Sequence, residues 1–350
     1  MNYSARLSDL TDQRDNNFNL MRFGAAVAVV LSHSYILTHN EPNSIPRSMG
    51  YLAVNCFFVM SGFLICKSVT ERKSTAQFYI ARILRIYPAL VIGVLITIFV
   101  IGPLQTTGTL SEYFQDKQTY NFLVKNCLLI FGIEYHLPSV FTGVGVGAIV
   151  NAPLWTLVFE VYLYLFSGLL GALLLRKKHG NPKLFCWFVI VLSLFALIFH
   201  VYNITVQSFD SHLFRNSIRF AAFFGIGASF YVMRHSVKLS PWILIFLLFA
   251  LVASIKLPVF HAAIMYPILA YTLLYAAYIP KGQLLKFNQV GDYSYGIYIF
   301  AYPIQQSFAN YFPDISTLIL FLASLATTLL LAMLSWHFVE SKALQFKTRV

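Results

Sequence analysis

The stretch FNLMRFGAAVAVVLSHSYILT, residues 18–38, decides how this chain folds. It is almost wholly apolar and has about the 20 residues that a helix needs to cross a bilayer. Arg22 lies near its start, and His33 lies deep inside it. Eleven helical steps separate the two residues, so both share nearly the same face, about 16 Å apart along the axis. An ionisable group inside a membrane is costly and indicates a functional site.

The composition of the whole chain agrees with a membrane location. Only 11% of its 350 residues are charged and 58% are hydrophobic, whereas a soluble domain carries roughly 25% charged residues. The net charge of +12 would suit nucleic acid, but the basic residues are spread over short connections. That distribution is typical of membrane topology, so we expect a lipid bilayer and no nucleic acid as partner.

Apolar runs recur along the chain and predict an all-α, polytopic membrane protein with about ten transmembrane helices. We expect a cytoplasmic segment at 1–17, a single transmembrane domain at 18–340 and a cytoplasmic tail at 341–350. Residues 105–151 form one long connection, predicted to be extracytoplasmic or re-entrant. The predicted spans are 18–38, 49–68, 80–104, 152–175, 184–203, 214–233, 241–256, 259–279, 290–311 and 315–339.

The basic residues give the spans an orientation. If the N-terminus is cytoplasmic and ten spans alternate, 19 of the 25 Lys and Arg residues fall on the cytoplasmic side. This bias follows the positive-inside rule and predicts that both termini are cytoplasmic.

The four cysteines offer no recognisable metal site. Cys56, Cys66 and Cys186 lie in or beside apolar runs, and no CxxC pair occurs in the sequence. This pattern indicates buried, inert thiols, and we expect no metal.

Two ionisable residues lie at comparable depth in the predicted bilayer. His33 is reached from the inner side, and Glu160 lies roughly 12 Å from the outer side. A neutral imidazole suits a general base that acts on a hydroxyl near pH 7. A buried carboxylate needs a partner such as His33 or an arginine. We predict that both are catalytic; the alternatives are a histidine satisfied by a neighbouring helix and a glutamate that locks two helices together.

Arg82 and Arg85 stand three residues apart in FYIARILRIYPAL, so they share a face at the cytoplasmic mouth of the third span. With Arg22 they place three guanidinium groups near one membrane surface. Guanidinium recognises phosphate through paired hydrogen bonds, which favours a binding site for a phosphate-bearing cofactor. The alternative is an ordinary positive-inside anchor.

Other polar residues inside the predicted spans are weaker candidates for substrate binding. Asn55 and Ser61 lie in the second span, where the Ser61-Gly62 pair also suits close helix packing. Arg219 lies a turn inside the outer end of the sixth span, where it either holds an anionic or sugar ligand or extends to the surface.

The sequence predicts structural roles for three polar residues late in the chain. Asp292 stands at the inner start of the ninth span, where a carboxylate favours the N-terminus of a helix. His337 and Glu340 lie at the cytoplasmic end of the last helix, and we expect both to be structural.

Five motifs follow one another in a familiar order. They are Arg22-x10-His33, FFVMSGF at 57–63, FYIARILRIYPAL at 78–90, LWTLVFE at 154–160 and SYGIYIFAYP at 294–303. Together they resemble the acyltransferase-3 family of integral membrane proteins, which includes O-acetyltransferases of polysaccharides and lipid-linked sugars. The resemblance covers nearly the whole chain.

The resemblance implies transfer of an acetyl or other short acyl group from cytoplasmic acyl-CoA to a hydroxyl of a cell-surface or lipid-linked glycan. It points to His33 and Arg22 as the essential histidine and its arginine partner, and to Arg82, Arg85 and Glu160 as further site residues. Acetyl-CoA would be the acyl-donor co-substrate, and the bacterial inner membrane the location. We also expect Trp155 and Tyr298, which lie in the matching stretches, to contact a substrate.

Two departures from the family pattern limit the transfer of roles. Many members have aspartate where Asn55 stands, and some branches have histidine where Ala301 stands. A polytopic transporter of a glycan or small solute is the competing class, because buried His, Glu and Arg also suit a proton relay. A scaffold for a polysaccharide assembly complex is a third class.

Overall fold

The computed structural model of the chain describes residues 4–13, 15–39, 44–143, 147–176, 180–206 and 211–346. Five basic residues that entered the predicted orientation lie outside the described residues: Arg14, Lys177, Lys178, Lys347 and Arg349.

Helices form at all ten positions where the sequence predicts a span. We number them α1 to α10 in chain order: Phe18–His39, Ile45–Glu71, Thr75–Ile96, Trp155–Leu174, Pro182–Val206, His212–Val232, Pro241–Ala253, Pro258–Tyr278, Ser294–Tyr311 and Thr317–Ser335. The prediction of an all-α, polytopic membrane protein is confirmed.

Shorter elements extend or connect these helices. A π-helical turn and a short helix prolong α3, and a second π-helical turn and a short helix prolong α10. The shorter helical elements are Leu7–Thr11, Thr97–Ile101, Gly102–Gln105, Leu110–Gln115, Lys117–Leu128, Ala152–Leu154, Ser254–Lys256, Gly282–Gln289, Trp336–Glu340 and Ser341–Gln345. Two strands, β1 (Ala5–Arg6) and β2 (Lys238–Leu239), pair antiparallel.

Within the described residues, seven helices are long and apolar enough to cross a membrane by themselves: α1, α2, α3 with its extension, α4 with the turn before it, α5, α8, and α10 with its extension. Helix α7 is apolar but short. Helix α6 carries Arg215 and Arg219, and α9 carries Gln305 and Gln306. Crossing by these three helices, and hence the count of ten, stays a prediction.

Large apolar side chains cover much of the surface, as expected where a protein faces lipid instead of water. Phe246 on α7 is 67% exposed, and Trp187 on α5 is 69% exposed. A soluble protein rarely exposes contiguous apolar surface on this scale. The exposure pattern therefore agrees with membrane-embedded helices.

The chain divides into two compact units. The first unit comprises residues 1–21, 55–78 and 163–290, and the second comprises residues 22–54, 79–162 and 291–350.

The first unit has an aromatic core and one very close helix contact. Phe63 of α2 meets Tyr231 of α6 edge-on, with ring centroids 5.5 Å apart, and Phe18 makes the same kind of contact with Tyr278 at 5.5 Å. The backbones of α2 and α6 approach so closely that a side chain at Gly227 would overlap the carbonyl oxygen of Val59. Small residues permit such approaches between membrane helices.

The second unit contains α1 and α9 packed side by side. The amide nitrogen of Gln305 donates to the carbonyl oxygen of Val30 at 2.7 Å and contacts Ser34 Oγ at 2.6 Å. Earlier in both segments, Arg22 meets Asp292. Residue numbers rise together along the two segments, so α1 and α9 run parallel. That direction agrees with a first and a ninth span that both start on the same side of a membrane.

Candidate active site

His33 lies in the second unit, packed against an aromatic ring. Its imidazole meets the ring of Tyr302 on α9 at right angles, with the centroids 5.0 Å apart. The side chain is partly buried. Its Nδ1 atom is buried, and no described residue gives that atom a hydrogen-bond partner. The ring is thus oriented by packing while a nitrogen remains available for proton transfer.

A buried glutamine fixes the helix backbone around His33. Gln305 is completely buried and holds both Val30 and Ser34 of α1 through its amide nitrogen. Ser34 follows His33 directly in the chain, so this contact sets the register of α1 against α9. Buried polar groups that are bonded in this way specify one arrangement of two helices.

Arg22 and Arg85 meet at a single carboxylate oxygen. Oδ2 of Asp292 lies 3.0 Å from Arg22 Nη1 and 2.5 Å from Arg85 Nη2. The two guanidinium nitrogens are therefore no more than 5.5 Å apart. Arg22 comes from α1 and Arg85 from α3, so the shared carboxylate brings together two of the three predicted arginines.

Asp292 is held in its ionised form by its surroundings. It precedes α9, and the hydroxyl of Ser294 donates to its other oxygen, Oδ1, at 2.5 Å. The guanidinium groups of Arg85 and Arg22 and the hydrogen bond from Ser294 all stabilise the negative charge of this carboxylate. The cluster therefore keeps its negative centre at neutral pH.

A second carboxylate approaches Arg85 from the end of α10. Oε2 of Glu340 lies 3.8 Å from Arg85 Nη1, and Ser335 donates to Oε1 at 2.9 Å. Glu340 is 1% exposed and closes the π-helical turn Trp336–Glu340. Such turns are rare and often occur at functional sites. Glu340, which the sequence predicts to be structural, thus has Arg85 as a specific partner.

The remaining predicted arginine lies close to this cluster along the chain. Arg82 is partly buried and stands one turn before Arg85 on α3. Arg85 also lies over the ring of Tyr295, 5.6 Å from its centroid, and the Tyr295 hydroxyl donates to the carbonyl oxygen of Ile86. These contacts fix the part of α3 that carries both arginines against the start of α9.

Glu160, Trp155 and Tyr298 also belong to the second unit. Glu160 is partly buried on α4, and a catalytic role for it remains a prediction. Trp155 begins α4 and packs edge-on against Phe159, with centroids 5.6 Å apart. The hydroxyl of Tyr298 lies 2.5 Å from Thr156 Oγ1 and donates to the carbonyl of Pro153, so it ties α9 to the start of α4.

Asn55, Ser61 and Arg219 belong to the first unit. Asn55 is buried, and its side-chain oxygen has no partner among the described residues. Ser61 Oγ lies 3.2 Å from the hydroxyl of Tyr164, and a side chain on the adjacent Gly62 would overlap the backbone of α6 at Phe224. Arg219 is buried, with its guanidinium 4.3 Å from the centroid of the Phe220 ring. Their substrate contacts stay predictions.

Sequence reasoning missed four contacts of the site. Asp292 and Glu340 were assigned no partner, although a buried guanidinium needs a counter-charge and these acids stand at the ends of apolar segments. Tyr302 and Gln305 follow in YIFAYPIQQ, where adjacent glutamines in an apolar helix were the available signal. The part of the chain that the structure describes holds no cluster of three His, Cys, Asp or Glu suited to a metal.

Fold and site together define a class of protein: a polytopic helical membrane protein in which an imidazole and a guanidinium group lie on one helix, α1, and further guanidinium groups come from α3. The chain matches a family model described as an acyltransferase domain over residues 15–337. It therefore belongs to the acyltransferase-3 family, and it is a membrane acyltransferase.

Two curated relatives match nearly the whole chain. The O-acetyl transferase of Shigella phage Sf6 is 30% identical in an alignment 355 residues long. This alignment covers 95% of this chain and 96% of the relative. Nodulation protein 10 of Rhizobium leguminosarum bv. viciae is 27% identical over 356 residues, which cover 95% of this chain and 94% of the relative. No solved structure matches the chain significantly.

Proposed function

We propose that this protein is an O-acyltransferase that moves an acetyl or short acyl group from cytoplasmic acyl-CoA to a hydroxyl of a cell-surface or lipid-linked glycan. The observation that carries the proposal is the course of α1 along α9. Arg22 and His33 of α1 both contact the segment 292–302, so one face of α1 presents a phosphate-binding group and a proton-transfer group.

The arginine cluster suits the phosphates of the donor. Arg22 uses one nitrogen, Nη1, for Asp292, and no other described residue accepts a hydrogen bond from its side chain. The remaining N–H groups can bind phosphate oxygens. Arg85 and Arg82 present further positive charge within one turn of α3. Because guanidinium binds phosphate in a paired geometry, the cluster anchors the nucleotide end of acyl-CoA.

The distance between Arg22 and His33 along α1 matches the length of the pantetheine arm of the acyl-CoA donor. Arg22 and His33 are about 16 Å apart along the helix axis. An extended pantetheine arm covers a span of this order. Arginines that hold the phosphates at the membrane surface would therefore leave the thioester near His33, and holding both reactants in one dry site can supply roughly 7–11 kcal/mol of the barrier.

In the transfer step, His33 accepts the proton of the acceptor hydroxyl while that oxygen attacks the thioester carbonyl. The new C–O bond forms, the C–S bond breaks, and the CoA thiolate leaves and takes up the proton. The ring of Tyr302 packs at right angles against the imidazole, and Glu160 orients the imidazole or stabilises its protonated form. In a variant of this route, His33 takes the acyl group itself and passes it on.

The acceptor class and the location are what the resemblance to the family implies, and the name of one relative supports O-acylation. One relative is named an O-acetyl transferase, of a phage of Shigella. We extend this to the present chain as O-acylation of a glycan hydroxyl at the bacterial inner membrane. Arg219, Ser61, Asn55, Trp155 and Tyr298 remain candidate contacts of that acceptor.

Purified protein in lipid nanodiscs, supplied with radiolabelled acetyl-CoA and cell-surface glycan, tests the proposal. We expect label to move to the glycan, as base-labile ester. A transporter or scaffold would leave all label on CoA. Comparison of surface glycans by NMR from cells with and without the gene would then identify the acylated position, and equal O-acetyl content in both would contradict the proposal.

A further inference from the structure

The arrangement around Asp292 goes beyond the arginine cluster that the sequence predicted. Both guanidinium groups bind one oxygen, Oδ2, while the other oxygen accepts from Ser294. Each oxygen thus has its own partners, and the carboxylate cannot rotate without breaking one set. Asp292 also joins three segments of the second unit: α1 through Arg22, α3 through Arg85, and the start of α9.

Two guanidinium groups this close repel each other unless a negative charge separates them. Their nitrogens lie within 5.5 Å of one another, and the surroundings are mostly buried, so screening by water is weak. Asp292 supplies the charge at the centre of the pair. Glu340 places a second carboxyl group 3.8 Å from the other terminal nitrogen of Arg85, Nη1.

Only part of the Arg22 guanidinium is bonded to Asp292. Asp292 accepts from Nη1 of Arg22 only, and the side chain is 27% exposed. A carboxylate that held both edges of the guanidinium would compete with a phosphate for the same groups. A carboxylate that holds one corner instead fixes the plane of the guanidinium and leaves the rest of it for a ligand.

We propose that Asp292 is the positioning residue of the donor site: its carboxylate holds Arg22 and Arg85 side by side in the orientation that binds the phosphates of acyl-CoA. This inference rests on the proposed function. Asp292 does not touch the donor, and it acts through the two arginines. Glu340 supports the same arrangement through the other terminal nitrogen of Arg85, Nη1.

A donor without phosphates separates this role from a purely structural one. S-acetylpantetheine carries the same thioester as acetyl-CoA but lacks the nucleotide and its phosphates. Asp292→Asn keeps the size and hydrogen-bonding capacity of the side chain and removes its charge. We expect kcat/KM for acetyl-CoA to fall about tenfold or more, mainly through KM, because a charge-assisted hydrogen bond is lost at each arginine. The value for S-acetylpantetheine should change less than about twofold.

A matched control and a second variant complete the experiment. Asp314→Asn makes the same change at an exposed acid of the second unit and should alter neither value. Asp292→Glu keeps the charge on a longer side chain and repeats the comparison should the asparagine variant fold poorly. Equal losses with both donors in both variants would overturn the inference, and so would a rise in kcat/KM with acetyl-CoA.

Arg85→Ala tells the failure of this inference from the failure of the proposed function. Suppose that Arg85→Ala lowers kcat/KM for acetyl-CoA more than for S-acetylpantetheine, and that the Asp292 variants show no such difference. Only the positioning role is then wrong. If Arg85→Ala shows no such selectivity either, the arginines do not bind donor phosphates and the proposed donor site is wrong.

Discussion

At the scale of single residues, the site couples a histidine held by packing to arginines held by charge. His33 is oriented by its perpendicular contact with the ring of Tyr302, and its buried Nδ1 has no hydrogen-bond partner among the described residues. Arg22 and Arg85 are oriented by one oxygen of Asp292. The His33–Tyr302 contact and the ion pairs of Asp292 therefore respond differently to substitution. A packing contact tolerates a change of polarity, whereas an ion pair does not.

Tyr302 offers a test of the packing half. Tyr302→Ala removes the ring that orients His33, and aromatic pairs contribute about 0.5–1.5 kcal/mol. We expect kcat to fall about 3- to 10-fold with little change in either KM. Tyr302→Phe keeps the ring and is the control, expected within about twofold of the wild type. Steady-state kinetics on purified protein measures kcat and KM of both variants. Equal losses in the two variants would show that the aromatic ring of Tyr302 does not determine the activity of His33.

At the scale of elements, glycines decide how closely two helices of the first unit approach. A side chain at Gly227 on α6 would overlap backbone atoms of α2, which cannot move aside as a flexible side chain can. By contrast, a side chain at Gly24 on α1 would meet nothing within 4 Å. The two positions therefore make a matched pair.

Gly227→Ala should destabilise the protein, and Gly24→Ala should not. Forcing an extra carbon into a packed contact costs typically about 1–3 kcal/mol, whereas an exposed change stays within about 0.5 kcal/mol. Thermal unfolding in detergent, followed by intrinsic fluorescence, measures both variants. A Gly227→Ala protein as stable as the wild type would mean that α2 and α6 do not approach as closely as described.

At the scale of the whole molecule, the sequence predicted the helices well and the site in part. All ten apolar runs became helices, because length and hydropathy are local properties of the sequence. The shared face of Arg22 and His33 was also predictable, since it follows from the helical period. The partners of Arg22, His33 and Arg85 come from the segment 292–302 and from the end of α10, more than 200 residues further along the chain. No local pattern encodes such a pairing, so Asp292 and Glu340 were missed as partners.

The orientation in the membrane is still a prediction and can be tested directly. In a variant with serine at Cys56, Cys66, Cys127 and Cys186, Ser111→Cys and Lys281→Cys each place one thiol at an exposed position. The positive-inside rule puts residue 111 outside and residue 281 inside. A membrane-impermeant maleimide should label Ser111→Cys in intact spheroplasts and Lys281→Cys only after permeabilisation. The reverse pattern would invert the predicted topology.

In the proposed mechanism, His33 is the residue that activates the acceptor hydroxyl. The most direct measurement compares wild type and His33→Ala, purified in nanodiscs, for transfer of labelled acetyl groups and for binding of CoA. We predict that His33→Ala binds CoA with an affinity within about twofold of the wild type, because the arginine cluster is untouched, and transfers no acetyl group above background. Transfer at the wild-type rate by His33→Ala would contradict the mechanism.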